Sequence, residues 1–134
     1  MTTQEQLVEA AKRARELAYV PYSNFQVGAA LLTDQDEIIL GGNIENAAYS
    51  VTNCAERTAL FKAFSDGKKT YKMMAVVADS NRPVPPCGAC RQVMAELCPE
   101  DMVVILANLK GDTEVTSVKE LLPGAFQAKD MNEE

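Results

Sequence analysis

Six consecutive apolar residues, Met73-Met74-Ala75-Val76-Val77-Ala78, constrain this chain more than any other segment. A strand with one wet face alternates apolar and polar side chains, whereas an unbroken apolar run needs cover on both faces. The run therefore predicts a strand inside a sheet packed by helices above and below. Met102 to Leu106 repeats the pattern and supplies a second such strand. From Thr2 to Tyr19 the apolar positions Leu7, Val8, Ala11, Ala14, Leu17 and Ala18 recur at three and four, which predicts an amphipathic helix that Pro21 stops. Phe25 to Leu32, a turn at Asp34-Gln35-Asp36 and Ile38 to Leu40 read as a β-hairpin. Further helices are expected from Cys54 to Phe64, with Thr52 and Asn53 as capping residues, and from Gly88 to Cys98, where Pro99 ends the run. An edge strand around Val115 and a short helix from Val118 to Leu122 complete the order α, β, β, α, β, α, β, β, α. That order predicts an α/β fold: a three-layer αβα sandwich with a mixed five-stranded sheet flanked by helices. At 134 residues, one domain over residues 1–128 is expected, with a loose tail over 129–134.

Charge and residue usage narrow the chemistry. Thirteen Lys plus Arg against nineteen Asp plus Glu give a formal charge of −6, which repels phosphate polymers and argues against a nucleic acid partner. No stretch approaches the roughly 18 apolar residues of a membrane span, and the first residues lack the basic and apolar segments of a secretory signal, so a cytoplasmic protein with no membrane partner is expected. The chain has four Cys and no His. Without imidazole, Ser-His-Asp and Cys-His catalytic units and every His-ligated zinc site are excluded. In a reducing compartment, closely spaced Cys are metal ligands or redox groups more often than disulfides.

Cys87-Gly88-Ala89-Cys90 opens one expected helix and Cys54 opens another. Helix N-termini favour the thiolate form that metals require. A redox pair built from Cys87 and Cys90 has no need of Cys54, so a shared metal site suits all three better. Cys98 lies eight residues beyond Cys90, which is about 12 Å along a helix and too far to ligate the same ion. Three protein ligands with an open fourth position are the arrangement of a catalytic zinc rather than a closed structural one. Three thiolates on Zn²⁺ leave a net charge of −1, which an adjacent cation would offset. Arg57, one turn into its helix, suits that task as well as it suits a surface position. Glu56 is about 200° around a regular helix from Cys54, so both reach one site only if Cys54 sits at the helix boundary. A carboxylate beside the metal can carry a proton to a substrate nitrogen, although early in a helix it also serves simply as a dipole partner.

Cys54-Ala55-Glu56 followed about thirty residues later by Pro86-Cys87-Gly88-Ala89-Cys90 resembles the zinc-dependent nucleoside and nucleobase deaminases. With Cys54 where most of these have His, the chain is most similar to the small homotetrameric all-Cys branch of the cytidine deaminases. The resemblance extends to Pro21-Tyr22-Ser23-Asn24-Phe25-Gln26-Val27-Gly28-Ala29-Ala30, Gly42-Asn43-Ile44-Glu45-Asn46-Ala47-Ala48-Tyr49-Ser50, Cys90-Arg91-Gln92 and Leu121-Leu122-Pro123-Gly124-Ala125-Phe126. It implies one Zn²⁺ per chain on Cys54, Cys87 and Cys90, Glu56 as proton shuttle and Arg57 tempering the thiolate charge. It also implies that Asn43 and Glu45 bind ribose hydroxyls, that Phe25 packs on the pyrimidine, and that Ala47, Tyr49 and Phe126 reach the pocket of a neighbouring subunit. Without the resemblance, Asn43 and Glu45 read as loop polars, and Phe25 and Phe126 as core aromatics. The implied activity is hydrolytic deamination of cytidine and 2′-deoxycytidine, a step of pyrimidine salvage. A nucleotide, a tRNA base or an aminonucleoside antibiotic is the alternative substrate within the same class. The charge of −6 argues against the polynucleotide and Glu45 against a substrate phosphate.

Overall fold

A computed structural model describes residues 1–132. Helix α1 (Gln4–Ala14) opens with a capping box in which the Thr3 and Gln6 side chains and backbone N–H groups satisfy each other. It gives way to a 3-10 turn, Arg15–Leu17, and does not continue to Tyr19. There the chain is drawn into extended pairing instead: Tyr19 N–H donates to the Asn43 carbonyl at 2.9 Å and Glu45 N–H to the Tyr19 carbonyl at 2.8 Å. Strands β1 (Val27–Thr33) and β2 (Ile38–Gly42) form the expected hairpin. Helix α2 (Ala55–Ser65), strand β3 (Tyr71–Ala78), helix α3 (Gly88–Leu97), strand β4 (Val103–Asn108), strand β5 (Thr113–Ser117) and helix α4 (Val118–Leu121) follow in order. A short helix α5 (Ala128–Asn132) occupies the start of the segment expected to be loose, and residues 133 and 134 lie outside the described residues.

The five strands form one mixed sheet in the order β2-β1-β3-β4-β5. Only β3 and β4 run parallel, in register from Met73 opposite Val103 to Ala78 opposite Asn108, and α3 supplies the crossover between them. The Met73–Ala78 run is central, as its unbroken apolarity requires. Its residues alternate between two cores. Met74 and Val76 face α2, α3 and α4, while Ala75 and Val77 face α1. The sheet is thus flanked by helices on both faces, as the element order predicted.

Small residues set how close the helices come. Ala10, Ala11 and Ala14 of α1 and Ala55, Ala59 and Ala63 of α2 are wholly buried against the sheet. A side chain at Gly28 of β1 would place its Cβ 2.1 Å from the Ala11 carbonyl oxygen, and one at Gly41 of β2 would come within 2.6 Å of the Ala59 nitrogen. An isolated strand glycine signals a close backbone approach. Here the approach seats α2 tightly on the hairpin, and with it the residues at its N-terminus.

Candidate metal centre

The cluster lies where the N-termini of α2 and α3 meet beside the C-terminal end of β3. Cys54 is the N-cap of α2 and Cys87 the N-cap of α3, both with extended backbone (φ −76°, ψ 157° and φ −68°, ψ 168°). Thr52 and Asn53 therefore do not cap α2: Asn53 instead donates from its side chain to Thr58 Oγ1 at 3.1 Å. Neither helix has a side-chain cap, because the capping position in each is held by a cysteine, whose sulfur is a weak hydrogen-bond acceptor. The free first-turn N–H groups leave positive potential over the sulfurs. Extended backbone at Cys54 also answers the 200° objection, since Glu56 is only the second residue of α2 and the turn that would carry it away has not yet formed.

The Sγ atoms of Cys54, Cys87 and Cys90 lie within 4.8 Å of one another. Cys54 and Cys87 are 3.7 Å apart, far beyond the roughly 2.05 Å of a disulfide. Two thiolates on a tetrahedral zinc, each at ~2.3 Å, stand about 3.8 Å apart. The donor set and its spacing therefore fit one zinc, with three protein ligands. Cys98 stays out: it caps the C-terminus of α3, packs in the core with Met94 and Tyr71, and burial pushes its thiol up to about 12.

Charge is arranged around the same atoms. Hydrogen bonds from Cys90, then from Arg57 and Cys87, bring the Cys54 thiol down to about 5. Cys90 is held well above its ordinary value, first by that shared hydrogen bond and then by burial. Arg57 Nη2 sits 3.4 Å from Cys54 Sγ, and the thiolate raises the guanidinium pKa further. Arg57 Nε is buried with no hydrogen-bond partner. A metal displaces the remaining thiol protons, so metal binding tightens as pH rises.

Glu56 is 5% exposed and lines a cleft of about 250 Å³ together with Cys54, Cys87, Phe25, Asn43, Val84 and Pro85. Burial, then the neighbouring Cys54 thiolate, pushes its carboxyl up to about 7. A carboxyl raised from 4.5 to about 7 binds more protons folded than unfolded, so the fold loses stability as pH rises through that window. Removing the charge should recover it. Metal-free Glu56→Gln is expected to match the parent chain near pH 4.5 and to exceed it by about 3 kcal/mol above pH 8. Denaturant melts of the two apoproteins across pH check this; parallel curves would contradict it.

The other expected site residues divide into groups. Phe25 and Asn43 reach the cleft. The Asn43 carboxamide is occupied on both sides, donating to the Phe25 carbonyl at 2.9 Å and accepting from Val27 N–H at 2.9 Å. It thereby clamps the segment that carries Phe25. Glu45 and Tyr49 face an adjoining hollow that shares Thr52 with the cleft. Glu45 accepts hydrogen bonds from the Ser23 hydroxyl and from Tyr22 and Ser23 N–H, which hold its carboxyl below the usual range. Ala47 and Phe126 are exposed and line neither cavity. Val84 and Pro85 form a wall of the cleft and belong to no helix or strand. Their only signal is position, just ahead of Cys87.

Among known proteins, the family model for the cytidine and deoxycytidylate deaminase zinc-binding region matches residues 1–106. The chain is 64% identical over 129 residues to a cytidine deaminase of Halalkalibacterium halodurans, covering 96% of this chain and 98% of that one. It is 62% identical over 128 residues to a cytidine deaminase of Sporosarcina psychrophila, with 96% and 94% covered. The crystal structure of cytidine deaminase from Burkholderia pseudomallei superposes with a TM-score of 0.91 at 53% identity, covering 93% of this chain and all of that one (100%). Matched over most of its length and by relatives this similar end to end, the chain belongs to the cytidine and deoxycytidylate deaminase zinc-binding family.

Proposed function

We infer that this protein is a zinc-dependent cytidine deaminase that hydrolyses cytidine and 2′-deoxycytidine to uridine and 2′-deoxyuridine with release of ammonia, as a step of pyrimidine salvage. One observation carries the reading: a buried carboxylate, Glu56, lines a cleft of about 250 Å³ together with Cys54 and Cys87, two of the three clustered thiols that could hold a metal. Zinc, which Cys54, Cys87 and Cys90 would hold, would supply Lewis acidity that lowers the pKa of water toward neutrality. Glu56 takes a proton from the attacking water and delivers it to N3 of the base as the C4–O bond forms. The same carboxylate then moves the proton of the new C4 hydroxyl to the amine as the C4–N bond breaks, leaving the C4 carbonyl and ammonia. In the metal-free chain, burial already holds this carboxyl above its ordinary value, the direction that suits a group that both takes and gives a proton near neutral pH. Arg57 offsets the thiolate charge from beside Cys54.

In this reading Phe25 forms the flat wall on which the pyrimidine packs, and Asn43 and Glu45 meet the sugar hydroxyls. Glu45, already ionised by its bonds to residues 22 and 23, has acceptor capacity for a hydroxyl and would repel a phosphate. The test is the absorbance change of purified protein with cytidine, deoxycytidine, deoxycytidine monophosphate and cytosine. Turnover of the two nucleosides with ammonia release is expected; turnover of the monophosphate alone would overturn the substrate assignment.

The reading includes a homotetramer of single domains spanning residues 1–128, working in the cytoplasm, in which Ala47, Tyr49 and Phe126 complete a neighbour's pocket. Its support is the exposure of large apolar side chains: Tyr49 at 76%, in the hollow beside the cleft, Val51 at 64% and Phe126 at 58%. Among the described residues no helix is long and apolar enough to cross a membrane. Specific activity is expected to collapse on dilution below the assembly's dissociation constant. Active monomers in an ultracentrifuge with absorbance detection would refute the shared pocket.

A further inference from the structure

We propose that Arg91 is a positioning residue for the metal ligand Cys87 and couples that ligand to the C-terminal segment. The three ligands are not held alike. Cys90 is wholly buried in the core and Cys54 is backed by Arg57. Cys87 is the exposed one, delivered by the proline-rich loop from Arg82 to Pro86, which contains neither helix nor strand. Its placement depends on what fixes the end of that loop.

Arg91 holds that end. Its Nε donates to the Pro86 carbonyl at 2.7 Å, immediately before the ligand, while its backbone N–H donates to the Cys87 carbonyl at 3.0 Å. Pro86 is buried and has no N–H of its own, so its carbonyl is the backbone group through which this point of the loop can be held. The other arm of the guanidinium, Nη1, donates to the Leu121 carbonyl at 2.8 Å. That carbonyl belongs to the last residue of α4, where helix geometry leaves oxygens without intrahelical donors, and the Leu121 side chain packs in the same core as Cys90 and Met94. One planar, permanently charged group thus spans the metal loop and the chain's C-terminal segment. The guanidinium sets its donors in a rigid planar fork that points them in diverging directions, whereas lysine's three donors sit together on one compact ammonium at the end of a flexible stem.

The adjacent residue makes the comparison. Gln92 Nε2 donates to the Phe126 carbonyl at 2.8 Å, so it grips the same segment without touching the metal loop. If Arg91 acted only by general stabilisation, loosening Gln92 would have a similar effect on the metal. Partners that orient metal ligands typically contribute ~10–100-fold in metal affinity.

This inference rests on the zinc reading of the three thiols and not on the substrate. Its test is the rate of zinc transfer to excess chromogenic chelator from zinc-loaded wild type, Arg91→Ala, Arg91→Lys and Gln92→Ala, with melting temperatures of the metal-free forms alongside. Arg91→Ala is expected to release zinc ~10–100-fold faster, Arg91→Lys to fall between it and wild type, and Gln92→Ala to stay within about twofold of wild type. Release from Arg91→Lys at the wild-type rate would overturn the proposal, as would Gln92→Ala releasing zinc as fast as the Arg91 variants. Should Arg91→Ala not fold, the rates of Arg91→Lys and Gln92→Ala still separate the two roles. A wild-type protein that takes up no zinc would instead remove the zinc reading itself, so the two failures are distinguishable.

Discussion

Glu56→Gln is expected to keep one zinc per chain and to lose at least ~10²–10⁴-fold in kcat, the range that positioned acid-base groups contribute. The substitution separates chemistry from structure unusually well. Gln has the shape of Glu, so the cleft wall it forms with Cys54 and Cys87 keeps its volume. Glu56 is not among the three metal-ligating residues, so the donor set is untouched. Its burial disfavours the charge, so removing that charge does not weaken the metal-free fold. What disappears is the ability to accept a proton and hand it on twice. Zinc analysis and turnover on one preparation decide the matter. Near-normal turnover with intact zinc would remove Glu56 from the mechanism, whereas lost zinc would mean that the carboxylate supports the metal site itself.

The second large effect lies far from the chemistry. Gly28→Ala adds a single methyl group, yet that carbon would stand 2.1 Å from the Ala11 carbonyl oxygen and 2.6 Å from the Arg15 nitrogen. Both obstacles are backbone, so no rotamer change relieves them. The helix must lift off the sheet, and the wholly buried Ala10, Ala11 and Ala14 lose their packing with it. A loss of at least ~4 kcal/mol is expected, a large part of the stability of an ordinary domain. Gly88→Ala is the matched control: its Cβ would meet nothing within 4 Å, so its stability is expected to stay within ~0.5 kcal/mol of the parent. Thermal or denaturant unfolding of both variants tests the pair. A Gly28→Ala protein that melts with the parent would show that α1 is not locked to β1 by backbone contact.

The layers were legible in the sequence because their cause is local. An unbroken apolar run such as Met73–Ala78 has no polar side to give to solvent, and the recurrence of Leu7, Ala11, Ala14 and their neighbours specifies one face of a helix. Helix ends were less legible. Tyr19 follows α1 without break in periodicity, yet it leaves the helix because residues 43–45 offer it backbone partners. Thr52 and Asn53 are better capping residues than cysteine by type, and they lost that position because the chain places Cys54 at the helix boundary. Phe25 and Phe126, core aromatics by composition, are both more than a third exposed. Residue type carries no information about which surface a cleft occupies.

The metal site divides along the same line. The sequence by itself narrowed the candidate donors: with no His available, the closely spaced thiols are the set that suits a zinc, and the eight-residue separation of Cys98 from Cys90 along a helix set the fourth apart. Tertiary structure decided where those atoms stand. Cys54 and Cys87 are 33 residues apart in sequence and 3.7 Å apart in space, a distance set by how two helix N-termini dock on one sheet. The same docking brings Arg57 to the thiolates and buries Glu56 beside them, and it sets the Leu121 carbonyl within reach of Arg91. Spacing along a chain fixes geometry only within an element, through its regular rise and turn. Between elements the geometry comes from packing, which here depends on how close Gly28, Gly41 and the alanine stripes of α1 and α2 let the layers approach.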